Sequence, residues 1–199
     1  MAIYVTSDAH GHVRALDEAL SKISLASDDT LYVLGDMIDR GPDPVGVIKL
    51  VRSLPNARVL KGNHEQIMLD AIIGQDPLDA ETWDINGGWT TRQQLNDMEF
   101  EAYEELVRWM ATLPLYAVVE TDERPYLLVH AGIQTEAARA FLLEHGVDCA
   151  DGTGAVDADR ELLKQMLAVQ SSDDLLWIRH GYWDAPTGLL SAEGKVRSW

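Results

Sequence analysis

Short apolar runs alternate with helix-like segments through the first third of the chain, and this alternation constrains the fold more than any other feature. The runs cover residues 3–6, 31–34 and 57–60. Each is followed by apolar residues at amphipathic spacing, which predicts helices over residues 13–23 and 44–54 and a third that begins just after Asn63. Strands that alternate with helices are typical of an α/β layered domain, and that is the fold class we predict.

The second half of the chain adds a different strand signal. Residues 115–120 and 126–129 lie on either side of a short polar segment and predict an antiparallel hairpin, so the sheet arrangement is expected to be mixed. Between the two halves, residues 74–114 form an insertion-like region with a helix from Phe100 to Met110. A length of 199 residues with 46% hydrophobic content suits a single domain over residues 1–199.

The formal charge of -17 argues against a nucleic-acid partner, because such surfaces need clustered Lys and Arg. A phosphorylated substrate would need local positive charge, and bound divalent cations are the obvious source. The sequence shows no signal-peptide pattern and no apolar stretch near the roughly 18 residues of a membrane span. Cys149 is the only cysteine. We therefore expect a cytoplasmic protein without a membrane partner.

Side chains that bind metals follow one predicted strand after another. They are Asp8 and His10 after the first strand, Asp36 after the second, Asn63 and His64 after the third, and His130 after residues 126–129. In α/β sheets, ligand sites assemble at the carboxyl ends of the strands. Mixed oxygen and nitrogen donors suit Mn, Fe or Zn, whereas calcium prefers oxygen donors alone.

The turn over residues 35–41 is the most concentrated polar segment. Directly after an apolar run it carries two carboxylates, Asp36 and Asp39, and the guanidinium of Arg40. Buried carboxylates without partners would cost several kcal/mol or more. Their charges must therefore be satisfied in a structural network or used on a ligand, and a metal ion with a phosphate would suit this turn.

Each of these segments also has a purely structural interpretation. Asp8 could cap the helix that follows it, and Asn63 could cap the next one. His130 could be a histidine with satisfied hydrogen bonds at a strand end. The occurrence of all the segments together, each at the end of a predicted strand, favours one shared site.

Four segments, taken in order, resemble the successive motifs of the calcineurin-like metallophosphoesterases. They are Asp8-Ala9-His10-Gly11, the segment from Gly35 to Pro42, Gly62-Asn63-His64-Glu65 and His130-Ala131-Gly132. Within this family, Asp39-Arg40-Gly41 makes the chain resemble the phosphoprotein-phosphatase branch. This branch includes small bacterial and phage phosphatases and symmetrical diadenosine tetraphosphate hydrolases. The resemblance implies an α/β metallophosphatase-type sandwich of two mixed β-sheets flanked by α-helices.

The resemblance also implies a role for each matching residue. The first of two divalent metal ions would be held by Asp8, His10 and Asp36, and the second by Asp36, Asn63 and His130, with manganese the first choice and iron or zinc possible. A hydroxide bridging the metals would attack phosphorus in line. His64 would protonate the leaving oxygen, and Asp39 would orient its imidazole. Arg40 and Arg179 would hold the phosphoryl oxygens, and Asn63 would also face the substrate.

These roles predict a metal-dependent phosphoesterase. The first expectation is a phosphoprotein Ser/Thr phosphatase acting on phosphate monoesters, and the alternative is a symmetrical hydrolase of diadenosine tetraphosphate. A partner would thus be a phosphorylated protein or a small phosphoester or nucleotide. A third possibility, from another class, is a non-catalytic metal-binding module, although His64 and Asp39 argue against it because a scaffold needs no general acid.

The sequence departs from the family pattern near its end. The family has a further metal-binding histidine in a Gly-His-Thr motif on a late strand, and this sequence has none. Only His145 and His180 follow His130, and neither stands after an apolar strand with glycine before it. Either the chain lacks C-terminal strands of a longer parent, which we expect because the upstream motifs are intact, or its second metal site is weakened.

The insertion-like region carries weaker signals. Asn86-Gly87-Gly88 is either a simple turn or part of the substrate cleft. Trp83 is expected in the core rather than on a recognition surface.

Overall fold

The computed structural model describes residues 1–74, 76–121, 125–147 and 159–178, together with the backbone of two strands near the C-terminus, Pro186–Leu190 and Val196–Ser198. The chain divides into two compact units, Met1–Leu115 and Tyr116–Trp199. None of the helices in the described ranges is long and apolar enough to cross a membrane.

The first unit is built on a parallel sheet of three strands in the order β1-β2-β3. The strands are β1 (Ile3–Thr6), β2 (Thr30–Val33) and β3 (Ala57–Val59), and Leu31 pairs with Tyr4 on one side and Ala57 on the other. Parallel neighbours need a crossover connection, which α1 (Val13–Ile23) and α2 (Pro44–Ser53) provide. All three strands therefore end at the same edge of the sheet.

Local sequence explains where α2 begins and which face it buries. The Asp43 carboxylate accepts a hydrogen bond from the Gly46 amide at 2.9 Å, and Pro44 occupies the first helical position. The apolar stripe of α2 is buried in the same core cluster as the β2 side chains Leu31 and Val33. Burial of this kind stabilises the fold by about 25 cal/mol per Å² of apolar surface.

A group of helices follows β3 along the chain, and most of it lies within residues 74–114. It comprises α3 (Asn63–Ile73), α4 (Pro77–Ile85), α5 (Trp89–Asn96) and α6 (Phe100–Ala111). The helix predicted from Phe100 is present, with the predicted start. Met68, Trp83 and Met110 belong to the same core cluster as the sheet, so this region is an integral part of the first unit.

The second unit contains the expected antiparallel hairpin, formed by β4 (Tyr116–Glu120) and β5 (Pro125–Val129). The described residues that follow contain the helices α7 (Thr135–Glu144), α8 (Arg160–Ala168) and α9 (Ser172–Trp177), and then an antiparallel pair, β6 (Pro186–Leu190) and β7 (Val196–Ser198). Parallel and antiparallel pairing with flanking helices confirms the predicted α/β class. The strand bounds differ slightly, since β2 and β3 both end one residue earlier than the apolar runs.

Candidate metal centre and phosphate site

The loops after β1 and β2 run side by side at the strand ends of the first unit. The amide of Asp8 donates to the carbonyl of Gly35 at 3.2 Å, and that of His10 donates to the carbonyl of Asp36 at 2.9 Å. Gly35 allows a further loop to approach, because a Cβ there would lie 2.2 Å from the Gly62 nitrogen and its φ is +88°. Three loops that are distant in sequence thus meet at one edge.

Left-handed backbone is concentrated in these loops. Asp8, His10, Asp36, Asp39 and Arg40 all have φ between 39° and 69°, and Ser24 is the only other described non-glycine residue with positive φ. Such conformations cost of order 1–3 kcal/mol each and persist only where the surrounding structure imposes them. Their concentration at one edge is typical of a functional site.

His10 is held in the form that binds a metal. Its Nδ1–H donates to the Ile38 carbonyl at 2.8 Å, so the lone pair of the ring is on Nε2. The Nε2 atom lies 3.5 Å from Asp36 Oδ2 and 3.8 Å from Asp8 Oδ1. Burial lowers the pKa of the His10 imidazole, although the Ile38 carbonyl and the charge of Asp36 oppose this effect. The neutral ring can therefore offer its Nε2 to a cation.

The donors at this edge fit a divalent ion. Ligand atoms of His10, Asp36 and His64 lie within 4.8 Å of one another, and the amide of His64 donates to Asp36 Oδ1 at 3.0 Å. Asp8 is exposed beside them, and Asn63, which immediately precedes His64, is buried at the start of α3. Carboxylate oxygens with imidazole nitrogens suit borderline metals.

A buried pair lies beside the metal donors. His64 Nδ1 and Asp39 Oδ2 are 2.7 Å apart, and the side chains are 1% and 0% exposed. The Asp39 carboxylate also accepts hydrogen bonds from the Trp83 indole and the Thr91 hydroxyl. Trp83 is buried, as predicted, but its contact with Asp39 was not predicted from the sequence, and neither was Thr91 as a site residue.

Arg40 spans the two imidazoles. Its Nη1 donates to His10 Nε2 at 2.9 Å and its Nη2 to His64 Nε2 at 2.7 Å. Since a guanidinium only donates, both Nε2 atoms are acceptors and both rings carry their hydrogen on Nδ1. The backbone amide of Arg40 donates to the carbonyl of Gly87 at 3.0 Å, so the Asn86-Gly87-Gly88 turn adjoins the site.

Glu65 ties the 35–41 turn to α3, and the sequence interpretation had not assigned it a role. Its Oε1 accepts from the Met37 amide and its Oε2 from the amides of Asp36 and Gly62, at 2.8, 2.8 and 2.9 Å. Burial and the charge of Asp36 raise the pKa of Glu65, while the three amide hydrogen bonds lower it, with a net increase. A Glu in the first turn of a helix that reaches back to the N-cap amide is a sequence signal that could have identified it.

Both helix-cap interpretations are wrong. The N-cap of α1 is His12, with no capping hydrogen bond from its side chain, so Asp8 does not cap that helix. The N-cap of α3 is Gly62, and Asn63 is already helical. The remaining alternative concerns His130, which directly follows β5 in the second unit and is half-buried; its role as a metal ligand stays a prediction. Arg179 and His180 lie outside the described residues.

Comparison with known proteins identifies the family. A sequence profile of the family described as "Calcineurin-like phosphoesterase" matches residues 1–194. The chain belongs to this family. The predicted resemblance is thereby confirmed, and the matched range includes the loops described above.

Curated relatives of this chain carry the name "Bis(5'-nucleosyl)-tetraphosphatase, symmetrical". The protein of Erwinia tasmaniensis is 32% identical over 136 residues, which cover 67% of this chain and 45% of the relative. That of Salmonella paratyphi C is 30% identical over 158 residues, covering 78% and 50%. The chain thus spans about half the length of these relatives. Among solved structures, a "putative diadenosine tetraphosphatase" is 24% identical, with a TM-score of 0.47 over 66% of this chain and 50% of that one.

Proposed function

We propose that this chain hydrolyses phosphoester and phosphoanhydride bonds with divalent metal ions, and that dinucleoside polyphosphates are its substrates. The observation that carries the proposal is the position of Arg40, whose guanidinium lies between His10 of the metal donors and His64 of the buried pair. The proposed metal ligands, phosphate-binding cation and proton donor thus lie within one side-chain length of each other, an arrangement that would suit phosphoryl transfer to water.

The metal ions would be held by Asp8, His10 and Asp36, with Asn63 and His130 proposed for a second ion, and manganese is the first choice. When bound, such ions activate water and neutralise the charge on phosphate oxygens. Arg40 would turn from the imidazoles to the phosphoryl oxygens, for which its planar fork is well shaped. Arg179, predicted to assist it, lies outside the described residues.

His64 would serve as the general acid. As the bond between phosphorus and the leaving oxygen breaks, protonated Nε2 would donate to that oxygen, while Asp39 stabilises the ring through Nδ1 at 2.7 Å. A buried His64–Asp39 pair would have no purpose in a non-catalytic metal-binding module, so the geometry favours an enzyme over that alternative.

The relatives change the order of the two enzyme hypotheses. A phosphoprotein Ser/Thr phosphatase was the first expectation from the sequence, but the curated relatives described above are named as tetraphosphatases that act symmetrically. Dinucleoside polyphosphates therefore rank first and phosphorylated proteins second. The cytoplasmic location stays a prediction.

The test compares substrates on the purified full chain, freed of metal and reloaded with manganese, iron or zinc. We expect diadenosine tetraphosphate to yield two molecules of ADP, and to turn over faster than p-nitrophenyl phosphate or a phosphothreonine peptide. Faster hydrolysis of the peptide would favour the second hypothesis. The proposal would be wrong if no metal supported turnover of any of the three substrates.

A matched pair of variants excludes a contaminating phosphatase. His64→Asn is expected to lose most of the activity, whereas His145→Asn is expected to retain it, because His145 is exposed at the end of α7. Equal activity of the two preparations would show that the measured turnover belongs to another protein.

A further inference from the structure

The Asp39 carboxylate has more donors around it than a role in orienting His64 would need. Besides His64, the Trp83 indole donates to Oδ1 at 3.1 Å and to Oδ2 at 3.2 Å, and the Thr91 hydroxyl donates to Oδ1 at 2.6 Å. Both added donors come from the helical region that follows α3, and Asp39 and Thr91 are wholly buried. Two helices, α4 and α5, thus contact the residue that holds the proposed general acid.

The Thr91 hydroxyl contacts both the backbone and the side chain of Asp39. It accepts from the Asp39 backbone amide at 2.9 Å and donates to the Asp39 carboxylate. Asp39 has a φ of +69°, a conformation that other contacts must impose on a residue with a side chain. The hydroxyl thus supports the backbone conformation and fixes the carboxylate rotamer at the same time.

Trp83 provides the Asp39 carboxylate with a second hydrogen-bond donor, one that cannot act as an acceptor. Its indole N–H is only a donor, and its ring is 3% exposed. Gly88 lies directly against the ring, where a Cβ would be 2.2 Å from Cδ1, and its amide donates to the Trp83 carbonyl at 2.9 Å. The Asn86-Gly87-Gly88 turn therefore holds Trp83 against Asp39 and, through the Gly87 carbonyl, holds the backbone of Arg40.

We infer that Thr91 and Trp83 are positioning residues, which keep the Asp39 carboxylate an acceptor aimed at His64 Nδ1. Because the Thr91 hydroxyl and the indole both donate to this carboxylate, the hydrogen between Asp39 and His64 belongs to the imidazole, and Nε2 is the atom presented to the reaction. This inference rests on the proposed function, in which His64 supplies the proton. It adds that the α4–α5 segment sets the efficiency of that proton transfer.

The first test observes His64 directly and needs no substrate. In the full chain labelled with 15N-histidine, the Nδ1–H resonance of His64 is assigned from its loss in His64→Asn. We expect this resonance and the ring tautomer to be retained in Thr91→Ser and to be shifted or broadened in Thr91→Val and Trp83→Phe. An unchanged His64 signal in both of the latter variants would overturn the inference.

Thr90 provides a matched control on the preceding position. Its side chain is buried, and its hydroxyl has no hydrogen-bond partner within the described part of the chain. Thr90→Val therefore makes the same chemical change without removing a contact to Asp39. If Thr90→Val altered the His64 signal as much as Thr91→Val, the effect would be general packing and the inference would be wrong.

The second test compares two esters whose leaving groups differ in their need for a proton, which distinguishes an effect on proton transfer from a general structural effect. Thr91→Val should lower kcat roughly tenfold on phenyl phosphate, a part of the about 10²–10⁴-fold that general acid catalysis supplies. On p-nitrophenyl phosphate, whose leaving group needs no proton, we expect little change, with KM similar for both. Equal losses on the two esters would contradict positioning. If the wild-type chain hydrolysed neither ester nor any other substrate, the proposed function would fail, and the His64 resonance would still decide the inference.

Discussion

Two sides of the site differ in the contacts that support them. The side that we call the metal side is formed by Asp8, His10 and Asp36. The side that we call the proton side is formed by Asp39, His64, Trp83 and Thr91. Left-handed backbone occurs on both sides, including Asp39, but the metal side also includes the exposed Asp8. The proton side is buried and held by side-chain hydrogen bonds from separate helices. In the proposed function an ion and a phosphate would enter the first side, whereas water would be kept from the second, so the two sides would answer opposite physical demands.

The largest effect is expected from breaking the metal side alone. Asp36→Asn should lower turnover roughly 10³-fold, because a metal ion supplies several kcal/mol of transition-state stabilisation and each 1.4 kcal/mol is about tenfold. Calorimetric titration with manganese should show weaker binding, while the His64 resonance stays in place. Asp17→Asn, at an exposed position of α1, is the control and should match the wild type in both measurements. Retained manganese affinity would show that the metal binds elsewhere.

Glu65→Gln tests whether the two sides are mechanically coupled, because Glu65 joins the 35–41 turn to the helix that carries His64. A glutamine offers one acceptor oxygen to three amides, and a buried donor without an acceptor costs about 1–3 kcal/mol. We expect the free energy of unfolding in urea to fall by about 3 kcal/mol, and manganese affinity to fall with it. Glu101→Gln, exposed on α6, should leave both unchanged. Loss of neither quantity would show the sides to be independent.

Arg40→Lys examines the residue that touches both sides. A lysine keeps the charge but cannot bridge two imidazoles or bind two phosphoryl oxygens in a planar fork. We expect kcat/KM to fall about tenfold or more, since a charge-assisted hydrogen bond is worth about 1.5–3 kcal/mol. Unfolding by denaturant should change little, because the Arg40 side chain is exposed. Full activity of the lysine variant would show that charge alone suffices.

The smallest effect is expected from a carboxylate that belongs to neither side. Hydrogen bonds from the amides of Ala2 and Ala26 lower the pKa of Asp29 below its ordinary value of 3.8. A lowered pKa contributes stability that is present above the ordinary value and is lost as the pH falls through the value in the folded protein. Asp29→Asn should therefore be less stable than the wild type at pH 7, and the difference should shrink below about pH 4.

Thermal unfolding followed at several pH values measures this difference. Asp28→Asn is the neighbouring control, because the Asp28 carboxylate pairs with the N-terminal ammonium at an exposed position. A gap between wild type and Asp29→Asn that persisted unchanged at pH 3 would contradict the assignment to ionised Asp29. Activity at pH 7 should be the same in both variants, which keeps this effect apart from the site.

The sequence indicated which residues of the metal side would lie together better than it indicated those of the proton side, and the reason is physical. Asp8, His10 and Asp36 lie in the loops that follow β1 and β2, so the parallel topology brings them to one edge of the sheet without any further information. Thr91 and Trp83 reach Asp39 across 52 and 44 residues through helix packing, which no local pattern encodes. The same limit applies to the proposed substrate, because the motifs bear on how phosphorus would be attacked and say little about which group would leave.

The left-handed residues at the strand ends also limit how this chain can be engineered. Asp8, His10, Asp36, Asp39 and Arg40 each adopt a backbone that glycine accepts without cost and that β-branched residues resist. A library selected for thermal stability alone would therefore accumulate glycine at Asp8 and Arg40, whose side chains are exposed, and would lose the proposed function along the way. Directed evolution of this scaffold needs turnover as a selection pressure from the first round.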